Sequence, residues 1–222
     1  YVHQRKNMVQ FPMLDLNYFN IPLDLHLATV KYHADFIKQK VAPFKQRCNF
    51  TYPKYNGGKI KLGYLSPDFR SHAVGRLIHD IFPHHNKDQF EIYCYSLVDI
   101  PKDDIQQKIK RQDVHFEDVS KLSFEAAAKK INGDGIHVLI DLGGYTTYTK
   151  PEIVALQPAE IQLQYMGNPD SMEADFIQYI IADKVLLGPA MRNKTNQQII
   201  DLKTAFVACL LYTSDAADDR SC

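Results

Sequence analysis

The chain has 222 residues, 45% of them hydrophobic and 23% charged, and its 26 basic side chains balance 26 acidic ones. That composition suits one globular domain with room for an extra element, and zero net charge without any basic run excludes an electrostatic nucleic-acid footprint. No apolar run approaches the roughly 18 residues that a membrane span needs, so the expectation is a cytoplasmic protein with neither membrane nor nucleic acid among its partners.

The chain opens at Tyr1 with no signal-peptide pattern, and residues 1–20 show no clean period. From Ile21 to Phe44, Leu23, Leu27, Val30, Ala34, Ile37 and Val41 fall on one helical face, with Pro22 at a tolerated position and Pro43 as the stop. Such a helix packs on a following domain or closes a helical array; a single unit demonstrates no repeat. Residues 45–58, ending in Asn56-Gly57-Gly58, read as a linker. From Lys59 strands and helices alternate. Strands are predicted at 59–65, 90–97, 114–119, 137–142, 161–166 and 176–183, and helices at 73–83, 102–111, 123–132 and 151–156. The nearly continuous apolar run 137–142 marks a strand covered on both faces. This alternation predicts an α/β fold with a doubly wound, mainly parallel sheet. After a strand-like LKTAFVA, the stretch Cys209 to Asp219 looks like one translated frame of a sequencing adapter, so 209–222 are set aside as a processing scar. Cys48 and Cys94 then remain, too few and too distant for a disulfide scaffold.

The most informative stretch is KIKLGYLSPDFRSHAVGRL, residues 59–77. It reads as a strand, a Ser66-Pro67-Asp68 turn, and a helix opening near Ser71-His72 with Val74, Leu77, Ile78 and Ile81 as its buried stripe. Open α/β sheets bind ligands at the carboxyl ends of their strands. A histidine in the first turn of a helix meets unpaired N–H groups and the positive dipole end, which favour a neutral ring facing a phosphate or a sugar hydroxyl. The loops Asp141 to Thr146 and Met166 to Ser171, rich in glycine and small polar residues, should crowd the same edge. No GxGxxG or Walker A pattern occurs. His79, His84 and His85 share no helix face and lack an accompanying cysteine pair, so no metal is expected, and His84-His85-Asn86 should close the helix.

Five blocks occur in a fixed order: GYLSPDFRSHAVGRL, HHNKDQFEIYCYSL, DGIHVLIDLGGYT, ALQPAEIQLQYMGNPDS and FIQYIIAD. Together, over about residues 59–205, they resemble the first catalytic lobe of the O-linked N-acetylglucosamine transferase family, of the SPINDLY-related type that often carries tetratricopeptide repeats. The resemblance implies a GT-B architecture of two Rossmann-like lobes with the active site between them, no metal and no cofactor. It implies inverting transfer of a sugar, GlcNAc from UDP-GlcNAc, onto Ser or Thr of acceptor proteins. His72 takes the position of the family histidine at the sugar and acceptor end of the cleft, in a positioning role. Gly167 and Pro169 match the loop that shapes the sugar pocket. With His72 as the catalytic candidate, Asp68, Gly144, Tyr145, Gly167, Asn168 and Pro169 are the substrate-binding candidates. Three positions depart from the family: Lys129 and Asn132 replace a family Asp and His, and Asn168 stands where relatives carry an aromatic. The expected organisation is a helical lead-in (1–58), a Rossmann-like lobe (59–208) and the scar. The nucleotide site and its diphosphate-stabilising lysine would lie on a second lobe beyond residue 208, so this piece alone is expected to be inactive. Fucosyl transfer from a GDP donor, glucosyl transfer to Asn, and a non-catalytic interaction module remain as alternatives. A receiver-like or flavodoxin-type domain would need an acidic cluster at the first strand end, which Asp68 alone does not make.

Overall fold

The computed structural model describes residues 21–203; expectations for residues 1–20 and 204–222 lie outside them. Helix α1 runs from Leu23 to Cys48 and buries Leu27, Val30, Ala34, Ile37 and Val41, the face that the apolar spacing indicates. It does not stop at Pro43, which lies inside it, so residues 45–48 are helical and not linker. Proline removes one donor here, but Phe44 and Cys48 beyond it pack against the core and keep the last turn in register. Asn49, in the left-handed conformation, ends the helix.

Seven parallel strands follow: β1 (Ile60–Ser66), β2 (Phe90–Ser96), β3 (His115–Asp118), β4 (Val138–Asp141), β5 (Ile161–Gln164), β6 (Tyr179–Ala182) and β7 (Gln198–Asp201). They lie in the order β3-β2-β1-β4-β5-β6-β7. The helices between them are α2 (Ala73–Ile78), α3 (Asp104–Lys110), α4 (Phe124–Gly133), α5 (Pro151–Ala155) and α6 (Pro189–Arg192). Side chains alternate across the sheet into two cores. Leu65, Tyr95 and Leu139 meet Val30, Ile37, Ile131 and Ile153 of α1, α4 and α5 on one face. Tyr64, Cys94 and Ile140 meet Val74, Ile78 and Ile109 of α2 and α3 on the other. The lead-in helix α1 therefore shares the core of the lobe that it precedes.

The predicted helix 73–83 is broken. Helix α2 has six residues and ends at Ile78, and a separate 3-10 turn spans Phe82–His84. Pro83 forces the break, because proline disfavours helical backbone in the residue before it and cannot donate. His84 and His85 accordingly end the 3-10 turn, not α2. Strand β7 and helix α6 had no counterpart in the sequence reading. Gln198–Asp201 is a short edge strand with mostly exposed side chains, so the alternation that reveals a strand is missing.

The chain passes from β3 at one edge to β4 beside β1, so β1 and β4 are neighbours whose following helices, α2 and α5, pack on opposite faces. A crevice opens where such connections diverge.

Candidate active site

The loop after β1 is built by local hydrogen bonds. Ser66 Oγ accepts from the Asp68 N–H at 2.9 Å. The Arg70 N–H donates to the Asp68 carbonyl, and the His72 N–H to the Arg70 carbonyl, both at 2.7 Å. From the β2–α3 connection, Asp103 accepts the Ser71 N–H at 2.8 Å. The loop presses so closely on α2 that a Cβ on Gly75 would stand 2.1 Å from the Arg70 carbonyl oxygen and 2.4 Å from that of Asp68. The buried Asp68 carboxylate holds Arg70 Nη2 at 3.0 Å through Oδ1, with Oδ2 3.5 Å from His72 Nδ1.

His72 is the N-cap of α2, in extended conformation, one residue before the first turn in which the sequence reading placed it. With only six residues, α2 gives the dipole argument little to stand on. The cap geometry is the firmer ground. Nδ1 accepts the Val74 N–H at 3.3 Å, which needs its lone pair and so places the proton of the neutral ring on Nε2. That contact and an Nδ1–H bond to Asp68 exclude each other. His72 thus presents an N–H donor from a half-exposed ring.

After β4, Asp141 folds back on its own loop, accepting the N–H groups of Gly143 at 3.0 Å and Gly144 at 3.1 Å. Gly144 has φ +57° and a Cβ there would stand 2.7 Å from Asn168 Cβ. Burial lifts the Asp141 carboxyl to about 7, against the pull of the two N–H donors. A carboxyl raised on folding binds its proton more tightly in the native state. The contribution of Asp141 to stability is then fully present below the unfolded value near 3.8 and is lost as pH rises towards 7. We predict a loss of roughly 1 kcal/mol per pH unit across that window in chemical denaturation, flattened in Asp141→Asn.

The loop after β5 closes the edge. A Cβ on Gly167 would lie 1.7 Å from the Leu142 carbonyl oxygen, so only glycine lets these backbones meet. Gln164 Nε2 donates to the carbonyls of Asn168 (3.0 Å) and Asp170 (2.6 Å). Asn168 is buried, and its Oδ1 and Gln164 Oε1 have no partner. A buried orphan acceptor is costly.

The three loops meet. Gly143 packs against Pro67, Gly144 against Asn168, and Gly167 against Leu142 and Gly143. The structure thus brings together the loops that carry Asp68, His72, Gly144, Gly167 and Asn168, while Pro169 is exposed beside them. Tyr145 lies beneath the third loop. It is buried, its hydroxyl donates to the Met172 carbonyl at 3.1 Å, and its ring stands edge-on to His33 of α1 at 4.7 Å. Through that hydrogen bond it braces the third loop from beneath. Lys129 and Asn132 sit on α4, which leads into the amino end of β4, away from this edge. Lys129 pairs with Glu125 at 2.8 Å, and Asn132 ties the Thr51 and Pro158 carbonyls. A cavity of about 260 Å³ lined by Lys59, His85, Phe90 and His115 lies at the amino ends of β1–β3, opposite the candidate site. His85 there bonds the Tyr64 hydroxyl at 2.8 Å. Among the described residues no cluster of three or more His, Cys, Asp or Glu is placed to hold a metal ion, and no helix is long and apolar enough to cross a membrane.

The sequence reading passed over Asp141 and Gln164 as site residues. Asp141 carried one signal, an acid ending a continuous apolar strand; Gln164, inside a strand, carried none.

The parallel sheet, its switch point and the three-loop edge define an open, doubly wound Rossmann-like lobe. A mutant O-GlcNAc transferase from Thermobaculum terrenum superposes with a TM-score of 0.66 at 19% identity, over 77% of this chain and 34% of that one. The profile of glycosyl transferase family 41 matches residues 16–215, and the chain belongs to that family. The probable UDP-N-acetylglucosamine–peptide N-acetylglucosaminyltransferase SEC of Arabidopsis thaliana is 40% identical over 142 residues, 61% of this chain and 14% of that protein. A UDP-N-acetylglucosamine–peptide N-acetylglucosaminyltransferase of Caenorhabditis elegans is 34% identical over 68% of this chain and 13% of its own length. The probable transferase SPINDLY of Arabidopsis thaliana is 26% identical over 94% of this chain and 22% of its own. The chain thus spans less than a quarter of these relatives.

Proposed function

We propose that this chain supplies the acceptor-side lobe of a cytoplasmic protein O-glycosyltransferase that moves GlcNAc from UDP-GlcNAc to Ser or Thr hydroxyls, with inversion and without a metal. The observation that carries the reading is the contact of three loops at the β1/β4 switch point, with the His72 ring at its rim. Family membership supports the same reading.

In this reading His72 Nε2–H donates to a hydroxyl of the sugar or of the acceptor, and Asp68, gripping Arg70, holds the loop beneath it. A ring whose Nδ1 lone pair is taken by Val74 and whose Nε2 already carries the proton is a poor base. It orients substrate, and orientation is a substantial contribution in a two-substrate transfer. Charge developing on the departing diphosphate needs preorganised cationic donors, which we assign to a second lobe outside this chain. Residues 59–203 belong to the catalytic lobe, and α1 is the lead-in behind a tetratricopeptide region.

The test is a transfer assay on the full-length protein with a panel of nucleotide sugars and a Ser/Thr peptide. Incorporation from UDP-GlcNAc is expected. Incorporation from GDP-fucose alone would instead select the SPINDLY-like chemistry, and none from any donor would leave an interaction module.

A further inference from the structure

One contact joins the lead-in helix to the pocket loop through the protein interior. His26, in the first turn of α1, meets the Asp170 carboxylate through Nε2, across 144 residues of sequence. Both residues are 7% exposed. Burial pushes the Asp170 carboxyl up, and the His26 ring beside it and the Ser171 N–H, which donates at 2.8 Å, pull it back. Around this pair α1 touches the same region twice more at the surface, Asp24 with Lys194 and Lys38 with Asp175. Those side chains are about half exposed or more and contribute little. A buried pair behaves differently: removing one partner strands the other's polar group away from water, which is strongly destabilising.

The effect has a direct route to the sugar pocket. The Gln164 amide that holds the Asp170 carbonyl also holds the Asn168 carbonyl, and Asn168 packs on Gly144. Displacing Asp170 moves both ends of that shared bond. A second brace from α1 runs through His33 to Tyr145, whose hydroxyl holds the Met172 carbonyl.

We propose that His26 and Asp170 are positioning residues, a buried clamp by which α1 sets the conformation of the pocket loop Gly167–Met172. The proposal rests on the reading of that loop as part of a sugar pocket. Its consequence is that the pocket is formed only while α1 is seated, so the lead-in helix is part of the site and not a spacer.

The test compares His26→Leu, which fills the volume without a donor, with His26→Gln, which restores a donor near the Nε2 position. Hydrogen exchange is read on the 222-residue chain. In His26→Leu the amides of Gly167, Asn168 and Asp170–Met172 are expected to exchange about tenfold faster, as loss of a buried charge-assisted bond implies, while Tyr64 and Leu139 in the sheet stay protected. His26→Gln should return the loop to within about threefold of wild type. Unchanged loop exchange in His26→Leu, equal loosening of loop and sheet, or no rescue by Gln would overturn the clamp. In the full-length protein, His26→Leu should raise the KM for UDP-GlcNAc more than it lowers kcat; a loosened loop with unchanged KM would overturn the clamp's role in the pocket. If the wild type transfers no sugar while the exchange pattern holds, the clamp stands and the functional reading fails.

Discussion

Alanine at Gly167 is expected to be the most damaging single-methyl change at the candidate site. The new Cβ would stand 1.7 Å from the Leu142 carbonyl oxygen and 2.9 Å from its carbon, and 3.4 Å from Gly143 Cα. Non-bonded carbon and oxygen settle near 3 Å or more, and no side chain is at hand to rotate away, since every near atom belongs to backbone. The β4 and β5 strands are paired up to Asp141 and Gln164, so the loops that follow them cannot separate without opening the sheet. Overpacking and backbone displacement of this kind cost about 3–5 kcal/mol, a large share of a domain's stability. Denaturant unfolding should show that loss, or the variant should fail to fold. A loss below about 1 kcal/mol would mean that the second and third loops do not pack as described.

Alanine at Gly75 is expected to follow closely. Here the clash is with the Arg70 and Asp68 carbonyl oxygens, at 2.1 and 2.4 Å. Both oxygens are already occupied: Arg70 O accepts from His72 N–H, and Asp68 O from Arg70 N–H. Pushing them away from α2 breaks the turn that presents His72 and loosens the Asp68 grip on Arg70. The intrinsic preference of alanine for helix would offset roughly 1 kcal/mol, so a net loss of about 2–3 kcal/mol is expected. The mark distinguishing this from Gly167→Ala is its place: amide shifts should move at Ser66–His72 and stay in place at Met166–Met172. Shifts confined to the third loop would contradict the assignment.

Much of the fold was legible because its signals were local and repeated. Apolar runs such as 137–142 and the stripe Leu27, Val30, Ala34, Ile37, Val41 state their burial directly, and both elements formed where the pattern placed them. Pro43 and Pro83 misled in opposite directions. The first was read as a stop but is carried through, because Phe44 and Cys48 pack beyond it; the second was read through but breaks the helix. Which outcome follows depends on tertiary contacts that local sequence does not contain. The site was half legible. Loops with Gly144 and Gly167 announce close approach, yet their partners, Asn168 and the Leu142 carbonyl, appear only once β4 and β5 are adjacent. The contact of Tyr145 with His33 joins the second loop to α1 and has no local sequence signal. The His26–Asp170 pair joins residues 144 positions apart, beyond any local pattern.

The central claim, that the β1/β4 edge is one wall of a sugar-transfer cleft, is tested most directly by His72→Ala in the full-length protein. Transfer to a Ser/Thr peptide and the affinity for UDP are measured side by side. A donor that positions substrate is worth about two orders of magnitude in kcat/KM, so a fall of about 100-fold is predicted, with the Kd for UDP within about threefold of wild type. Equal loss of transfer and UDP affinity, or transfer that survives the substitution intact, would contradict the account.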